Sequence, residues 1–228
     1  MIIIDKVSVF NFESAIRGCR NPYNSWDKSD SNYCMLMDFD CEDCPAQKCV
    51  MNDRGEAFII GPNDLDLARR LIKAGSDDRK FLRQIFVSVD ITAPLYWWKE
   101  YDTYKVGTVA NSCSTMHKIH SKAFTREDFS CERMSDIALR CLDNTIVVLE
   151  ERRGLYNETK VQQYWDDMIQ LLPTSYNQMR TCTLNYENVL NMYYARRYHK
   201  LKEWREFCAW IEKLPWFKEM CLEGDSDA

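Results

Sequence analysis

Four cysteines near the amino terminus form the densest group of candidate metal ligands in this sequence. Cys34, Cys41, Cys44 and Cys49 follow the pattern C-x6-C-x2-C-x4-C. Four thiolates can hold a tetrahedral zinc ion or an iron–sulfur cluster, although only the C-x2-C pair has ordinary zinc-site spacing. The chain has eleven cysteines, an odd number that fits poorly with a fully disulfide-paired scaffold. The pattern therefore leaves two alternatives open, a structural zinc or iron–sulfur site and a set of free thiols.

A cluster of basic residues stands out in an acidic chain whose net charge is −5. The cluster comprises Arg196, Arg197, His199 and Lys200. A guanidinium group suits a phosphate because its N–H groups form a planar fork that can donate two hydrogen bonds at once. The cluster indicates either a local anion site around Arg196 or a solvated basic face.

Residues 106–117 are small and polar, a composition typical of a ligand-binding loop. Hydroxyl groups and backbone amides near Asn111 and Ser114 would suit a nucleotide phosphate, and the alternative is an ordinary polar loop. Cys113 is a possible nucleophile, but no base is evident beside it. The chain has no phosphate-binding G-x-x-x-x-G-K-[ST] loop and no G-x-S-x-G motif.

These residues need a scaffold, and the periodicity of apolar residues predicts one. Alternation predicts a half-buried strand at 2–10, and β-branched runs predict strands at 85–91 and 179–186. The pattern predicts an aromatic helix after Pro94 and further helices at 12–20, 62–74, 132–153, 157–171, 186–197 and 199–213. Strands among many helices indicate an α/β (α+β) fold, with a mixed sheet flanked by helices. We expect a single domain over residues 1–228, with a cysteine-rich insertion at about 21–57.

Residue types at the helix ends refine this scaffold. Asn63 or Asp64 is the expected N-cap of the helix at 62–74, and Gly75 is its expected C-cap. Asn185 stands between the strand at 179–186 and the next helix, where it would serve as an N-cap, a ligand-binding residue, or both.

Two blocks of sequence resemble the flavin-dependent thymidylate synthase family. The first, 81–117, has Ala93-Pro94 at a strand end followed by an aromatic helix, as the family does. The family then has the motif R-H-R-x-x-S-x-N-x-x-S-x-R-Y. With one inserted residue, Asn111 and Ser114 match the Asn and the second Ser of that motif. Other positions differ: Thr103, Tyr104 and Lys105 stand at Arg-His-Arg, and Glu100 stands where some members have Gln.

The second block, 172–205, matches the family more closely. Five residues agree in type and spacing without a gap: Pro173, Thr183, Asn185, Asn191 and Arg196. The two blocks and the segment ahead of the first one cover more than half of the chain in family order.

The resemblance implies reductive methylation of dUMP, with reduced FAD as hydride source and methylene-tetrahydrofolate as carbon donor. It also implies a homotetramer, since family active sites form between subunits. The nucleotide-binding residues that it implies are Arg196, Ser114, Asn111 and Glu100. The flavin-binding residues are Lys105, Tyr104, Asn185 and Asn191.

The replacement of Arg-His-Arg by Thr103, Tyr104 and Lys105 leads to further hypotheses about function. We expect FAD to bind more weakly than in relatives with an intact motif, because charge-assisted hydrogen bonds are lost. One alternative is a catalytically inactive descendant, repurposed to bind a nucleotide or a protein. Another is an enzyme that modifies pyrimidines differently.

The composition excludes some classes of protein. Hydrophobic residues make up 46% of the chain, which is ample for a packed core. The sequence pI of about 5.4 disfavours a broad nucleic-acid surface, which needs excess positive charge. No apolar run approaches the roughly 20 residues of a membrane span, and no secretion signal is evident, so we expect a cytoplasmic protein.

Overall fold

The computed structural model describes residues 1–34, 49–51 and 56–223. The described chain is an α/β protein that divides into two compact units, each built from separated parts of the sequence. Unit 1 contains Met1–Asp5, Asp90–Tyr104 and Ala110–Thr181, and unit 2 contains Lys6–Val89, Lys105–Val109 and Cys182–Ala228. The single domain with a cysteine-rich insertion remains a prediction.

The larger sheet has four strands in the order β1-β5-β7-β6. Its strands are β1 (Ile3–Phe10), β5 (Phe86–Pro94), β6 (Val109–Ser112) and β7 (Asn177–Asn185). Strand β5 buries alternate residues, as the run of β-branched residues predicts. The predicted strand at 2–10 is confirmed, but its half-burial is wrong. Strand β1 is at one end of the sheet order, and no residue in it is buried.

A second, smaller sheet lies in unit 2, in a region for which the sequence predicted no strand. Its strands are β2 (Asn32–Tyr33), β3 (Val50–Met51) and β4 (Ala57–Ile59), in the antiparallel order β2-β4-β3. Phe58 is the central residue, paired with both Tyr33 and Val50. Strands of two or three residues are too short to show an alternating pattern, which explains why the sequence did not reveal them.

The α-helices that the structure describes in unit 2 pack around its core. They are α1 (Phe12–Cys19), α2 (Pro62–Ala74), α7 (Tyr186–Arg196), α8 (Lys202–Ile211) and α9 (Phe217–Cys221). The helices predicted at 12–20, 62–74, 186–197 and 199–213 are thereby confirmed. Helix α7 carries much of the core, since Tyr186, Val189, Leu190 and Met192 are fully buried.

The caps of α2 differ in part from the prediction. Gly75 is the C-cap, with φ 120°, as expected, but the N-cap is Gly61. The side chain of Asp30 accepts hydrogen bonds from the backbone N–H groups of Asn63 and Asp64, at 2.9 and 3.1 Å. Asp64 is 1% exposed, and its carboxylate instead accepts from Arg20 Nε at 2.7 Å. Asp64 is therefore the anion of a buried ion pair.

Unit 1 is built around a pair of long helices. Its helices are α3 (Leu95–Tyr101), α4 (Thr115–Lys118), α5 (Asp136–Thr159) and α6 (Gln162–Leu171). Leu142, Leu149 and Met168 form part of the core between α5 and α6. The predicted helix end at 153 is wrong: α5 continues through Gly154 to Thr159, and its C-cap is Lys160, which has φ 59°. Among the described residues, no helix has the length and apolarity needed to cross a membrane.

Candidate functional site

The junction between β7 and α7 is fixed by two reciprocal hydrogen bonds. Asn185 Oδ1 accepts from the backbone N–H of Asn188 at 3.0 Å, and Asn188 Oδ1 accepts from the backbone N–H of Asn185 at 3.1 Å. This capping box satisfies two backbone donors at the helix start. Asn185 is 7% exposed, so the cap is shielded from water. The N-cap role predicted for Asn185 is confirmed.

A glycine allows the segment Lys105–Val109 to lie directly against this junction. Asn188 Nδ2 donates to the carbonyl of Val106 at 2.8 Å. Gly107 has φ +75°, and a Cβ atom there would lie 2.9 Å from Asn185 Nδ2 and 3.0 Å from Asn188 Oδ1. A side chain would therefore be both strained and too close. Lys105, which is exposed, begins the same segment.

A carboxylate lies in the first turn of α7 and holds two arginines. Glu187 is 8% exposed and accepts from Arg79 Nε at 3.2 Å and from Arg83 Nε. Burial acts to raise the pKa of Glu187, but the guanidinium groups of Arg83 and Arg79 outweigh it and lower the pKa. Arg79 Nη2 also donates to Asn191 Oδ1 at 3.2 Å. Sequence reasoning missed this group, although the four-residue spacing of Arg79 and Arg83 was an available signal.

The side chains around the junction offer hydrogen-bond donors and positive charge. Asn185 and Asn191 each use the amide oxygen within the protein. Across the part of the chain that the structure describes, neither amide Nδ2 has a protein acceptor in hydrogen-bonding geometry. Lys105 adds an exposed ammonium group. This combination suits a ligand that is anionic and rich in acceptors.

Arg196 ends α7 and lies over an aromatic ring of α8. Its guanidinium carbon is 5.0 Å from the ring centroid of Trp204, which is fully buried. The neighbouring guanidinium of Arg197 lies instead over Tyr194 and Tyr198, at 5.2 and 5.0 Å. The two arginines therefore have different surroundings. The contact with Trp204 restrains the Arg196 side chain at the end of α7.

The segment that the sequence assigned to a loop contains two short regular elements, a strand and a helix. The loop prediction for 106–117 is wrong at Val109–Ser112, which is strand β6, and at helix α4. All four residues of β6, among them Asn111, are exposed. Ser114 is the N-cap of α4, and its Oγ accepts from the backbone N–H of His117 at 2.9 Å. Cys113 is exposed, and its backbone N–H donates to the carbonyl of Met179 at 2.9 Å.

An arginine that sequence reasoning missed links β7 to helix α3 within unit 1. The guanidinium carbon of Arg180 lies 4.2 Å from the Trp98 ring centroid, and its Nη1 donates to Asp102 Oδ1 at 2.7 Å. Arg180 Nε donates to Gln178 Oε1 at 3.0 Å, and Gln178 Nε2 donates to the Cys113 carbonyl at 2.7 Å. This network fixes the position of Cys113, the residue before Ser114. The sequence signal for this network was a basic residue within the strand predicted at 179–186.

The predicted site residues fall in both units. Unit 2 contains Lys105, Asn185, Asn191 and Arg196. Unit 1 contains Glu100 and Tyr104, both half-buried, together with Asn111 and Ser114. The predicted nucleotide-binding residues therefore lie partly in each unit, and so do the predicted flavin-binding residues. Within unit 2, the structure joins Asn185 to the segment of Lys105 through Gly107.

Half of the proposed cysteine metal site lies outside the described residues. Cys41 and Cys44 belong to the part that the structure does not describe, whereas Cys34 and Cys49 are half-buried free thiols. Among the residues at 1–34, 49–51 and 56–223, no three His, Cys, Asp or Glu side chains form a potential metal site. The zinc or iron–sulfur site remains a prediction.

Comparison with known proteins identifies the fold. No protein-family model and no curated protein match the sequence. Solved structures do match, among them two of the flavin-dependent thymidylate synthase ThyX from Helicobacter pylori with FAD and dUMP. The first has a TM-score of 0.64 at 15% identity and covers 99% of each chain. The second has a TM-score of 0.63 at 15% identity and covers 98% of each chain.

The chain has the fold of these synthases. This confirms the fold class expected from the sequence and the fold implied by the resemblance. An identity of 15% establishes the fold and leaves the chemistry to be argued from the residues themselves.

Proposed function

We propose that this protein is a flavin-dependent, thymidylate-synthase-like enzyme that acts on dUMP or a related pyrimidine nucleotide. One observation carries the proposal: the chain shares its fold, over nearly its full length, with two structures that hold FAD and dUMP. The ungapped run of matching residues from Pro173 to Arg196 supports it, because two of those residues lie at the β7–α7 junction and its first turns.

The residues at the junction fit a flavin dinucleotide. Lys105 would oppose phosphate charge, and the unused amide donors of Asn185 and Asn191 would bind acceptors of the ring or the ribose. Tyr104 offers an aromatic face. The close approach at Gly107 keeps the segment of Lys105 next to Asn185. FAD, when bound and reduced, would supply the hydride for the reaction.

Arg196 would bind the nucleotide phosphate. Its guanidinium is held over Trp204, so less side-chain entropy is lost when an anion binds than for a free arginine. Asn111, Ser114 and Glu100 remain proposed ligands for the same nucleotide. We further propose that the sites are completed in a homotetramer, and that a folate is the carbon donor.

A second function is favoured by a specific observation at the junction. Glu187 holds Arg79 and Arg83, so these two cations are already paired with an anion of the protein. Lys105 is the only cation at the three positions of the Arg-His-Arg triplet. Less positive charge is therefore available there for a dinucleotide phosphate than in relatives that have the triplet. A catalytically inactive protein that binds a nucleotide, without flavin, would have this arrangement.

Flavin binding separates the two functions. The enzyme should show visible flavin absorbance, or should acquire it on titration with FAD, with weaker affinity than a relative that has an intact motif. Lys105→Ala should weaken FAD binding, whereas Lys99→Ala, which removes an exposed charge from α3, should not. With FAD, a reductant and methylene-tetrahydrofolate, dUMP should be converted to a methylated product. Binding of dUMP without any binding of FAD would instead establish the second function.

A further inference from the structure

Unit 2 contains a basic groove that is lined by none of the proposed nucleotide- or flavin-binding residues. It lies among α2, the 3₁₀ turn Arg79–Gln84, α7 and α9, and its volume is about 370 Å³. Four cationic side chains line the groove: Arg69, Arg70, Lys73 and Arg79. This volume is in the range of small-molecule sites, about 300–1,000 Å³. The concentration of positive charge is notable because the chain as a whole is acidic.

The ion pairs of the groove leave part of its charge unbalanced. Arg79 is paired with Glu187 at 3.2 Å, as described above. Arg69 pairs with Glu223 at 2.9 Å, and Arg70 pairs with Asp66 at 3.0 Å on the solvent-exposed surface. Lys73 has no ion pair with any residue that the structure describes. Exposed pairs of this kind hold their partners weakly, so the cations can exchange them for a ligand.

The cations of α2 lie close enough to repel one another. Arg69 and Arg70 are four and three residues before Lys73, and like charges at these spacings repel. Glu223 and Asp66 offset part of this repulsion. The helix dipole favours Lys73 in the last turn of α2. Arg79 reaches the same groove from a different element, where Glu187 pairs with it. Convergence of cations from two elements is typical of a site for a phosphate group.

The other wall of the groove is apolar and aromatic. Leu190 and Tyr194 line it from α7, and Met220 lines it from α9. Tyr194 is 40% exposed, and its hydroxyl group donates to the carbonyl of Cys221 at 3.3 Å, which restrains the ring. The guanidinium carbon of Arg197 also lies 5.2 Å from the Tyr194 ring centroid. A restrained, exposed aromatic ring opposite several cations suits a ligand with a flat ring at one end and phosphates at the other.

We propose that this groove binds a nucleoside diphosphate group, with the phosphates at Arg70 and Lys73 and the base at Tyr194. The site goes beyond the proposed function, because Arg196 and Lys105 are not part of its lining. The same chemical group occurs in a free nucleotide and in one half of a dinucleotide cofactor such as FAD. The experiment distinguishes these two sources.

Calorimetric titration of the full-length protein with ADP tests the proposal. Wild type should bind ADP saturably, and inorganic phosphate more weakly. Lys73→Glu and Arg70→Glu should each weaken ADP binding roughly tenfold or more, since a charge-assisted contact is replaced by repulsion. Lys80→Glu is the matched control, because Lys80 is exposed, makes the same charge change and does not line the groove. Absence of ADP binding, or an equal loss in Lys80→Glu, would overturn the proposal.

Competition identifies the source of the diphosphate and keeps the two proposals separate. If FAD displaces ADP while FMN does not, the groove holds the diphosphate half of the dinucleotide. If FAD and ADP bind at the same time, the groove binds a free nucleotide. Displacement by FAD and simultaneous binding both support a diphosphate site in the groove. Binding of dUMP should be unchanged in Lys73→Glu. If wild type binds dUMP and FAD but fails to bind ADP, the groove proposal is rejected and the proposed enzyme still stands.

Discussion

The β7–α7 junction and the segment from Val109 to His117 both carry residues that match the synthase family, yet they differ in structure. At the junction, Asn185 and Asn188 satisfy each other, and Glu187 is almost fully buried. In the second region, every residue of β6 is exposed, and the cap at Ser114 serves a helix of four residues. Of the residues in the ungapped match, Asn185 is buried, whereas Asn191 is exposed. The contrast is therefore between a shielded helix cap at Asn185 and a cap at Ser114 that serves a short helix with no buried residue.

The largest effect should follow from a side chain at Gly107. Gly107→Val places a β-branched residue at φ +75° and a Cβ atom 2.9 Å from Asn185 Nδ2. We expect a loss of about 2–4 kcal/mol in the free energy of unfolding, from backbone strain and overpacking together. Denaturant unfolding followed by circular dichroism measures it.

Gly154→Ala is the matched control for this substitution. Gly154 lies inside α5, with nothing within 4 Å of the added Cβ. The variant should gain about 0.5–1 kcal/mol, because alanine favours the helix. Equal effects at the two glycines would show that the junction is not tightly packed.

Neutralising Glu187 should have a smaller effect that depends on pH. Glu187→Gln leaves Arg79 and Arg83 without their shared anion and should cost about 1–3 kcal/mol at neutral pH. The folded-state pKa of Glu187 is below its ordinary value of 4.5, so its contribution is complete above that pH. It is lost as the pH falls through the lowered pKa.

Unfolding curves of wild type and Glu187→Gln at several pH values test this directly. Their difference in unfolding free energy should be constant near neutrality and should disappear in acid. A difference that grows as the pH falls would contradict the assigned ionisation state.

The smallest effect should come from the exposed region. Ser114→Ala removes the cap of α4, and we expect a loss of about 0.5–1 kcal/mol, at the low end for N-caps, since the helix is short and solvent-exposed. Asn185→Ala removes a shielded cap and should cost more, about 1–2 kcal/mol. Thermal unfolding of both variants compares the two regions, and the reverse order would refute the contrast drawn between them.

Local sequence patterns predicted much of the scaffold. The helix at 62–74, strand β5 and the strand-to-helix junction at Asn185 were found because periodicity and capping are local properties. The end of α5 was misplaced because a single glycine, Gly154, costs a helix only about 1 kcal/mol, which its packing against α6 outweighs.

The contacts that build the site depend on residues far apart in sequence. Glu187 meets Arg79 and Arg83 across more than a hundred residues, and Arg180 meets Asp102 across 78. Local sequence patterns do not reveal such long-range pairs. The sequence therefore suggested Arg196 and Asn185 as site residues without showing which residues they contact. Strand β6 was taken for a loop because four exposed residues show no alternation of apolar and polar types.

The central claim is that a pyrimidine nucleotide binds at Arg196, and calorimetry with dUMP on three folded proteins tests it. Arg196→Ala should weaken binding by about 1.5–3 kcal/mol, roughly tenfold to a hundredfold, and Arg196→Lys should restore only part of it. Arg197→Ala should change little, since Arg197 lies over Tyr194 and Tyr198 while Arg196 lies over Trp204. Small and equal losses at the two arginines would mean that the basic cluster is a solvated face, and would contradict the account.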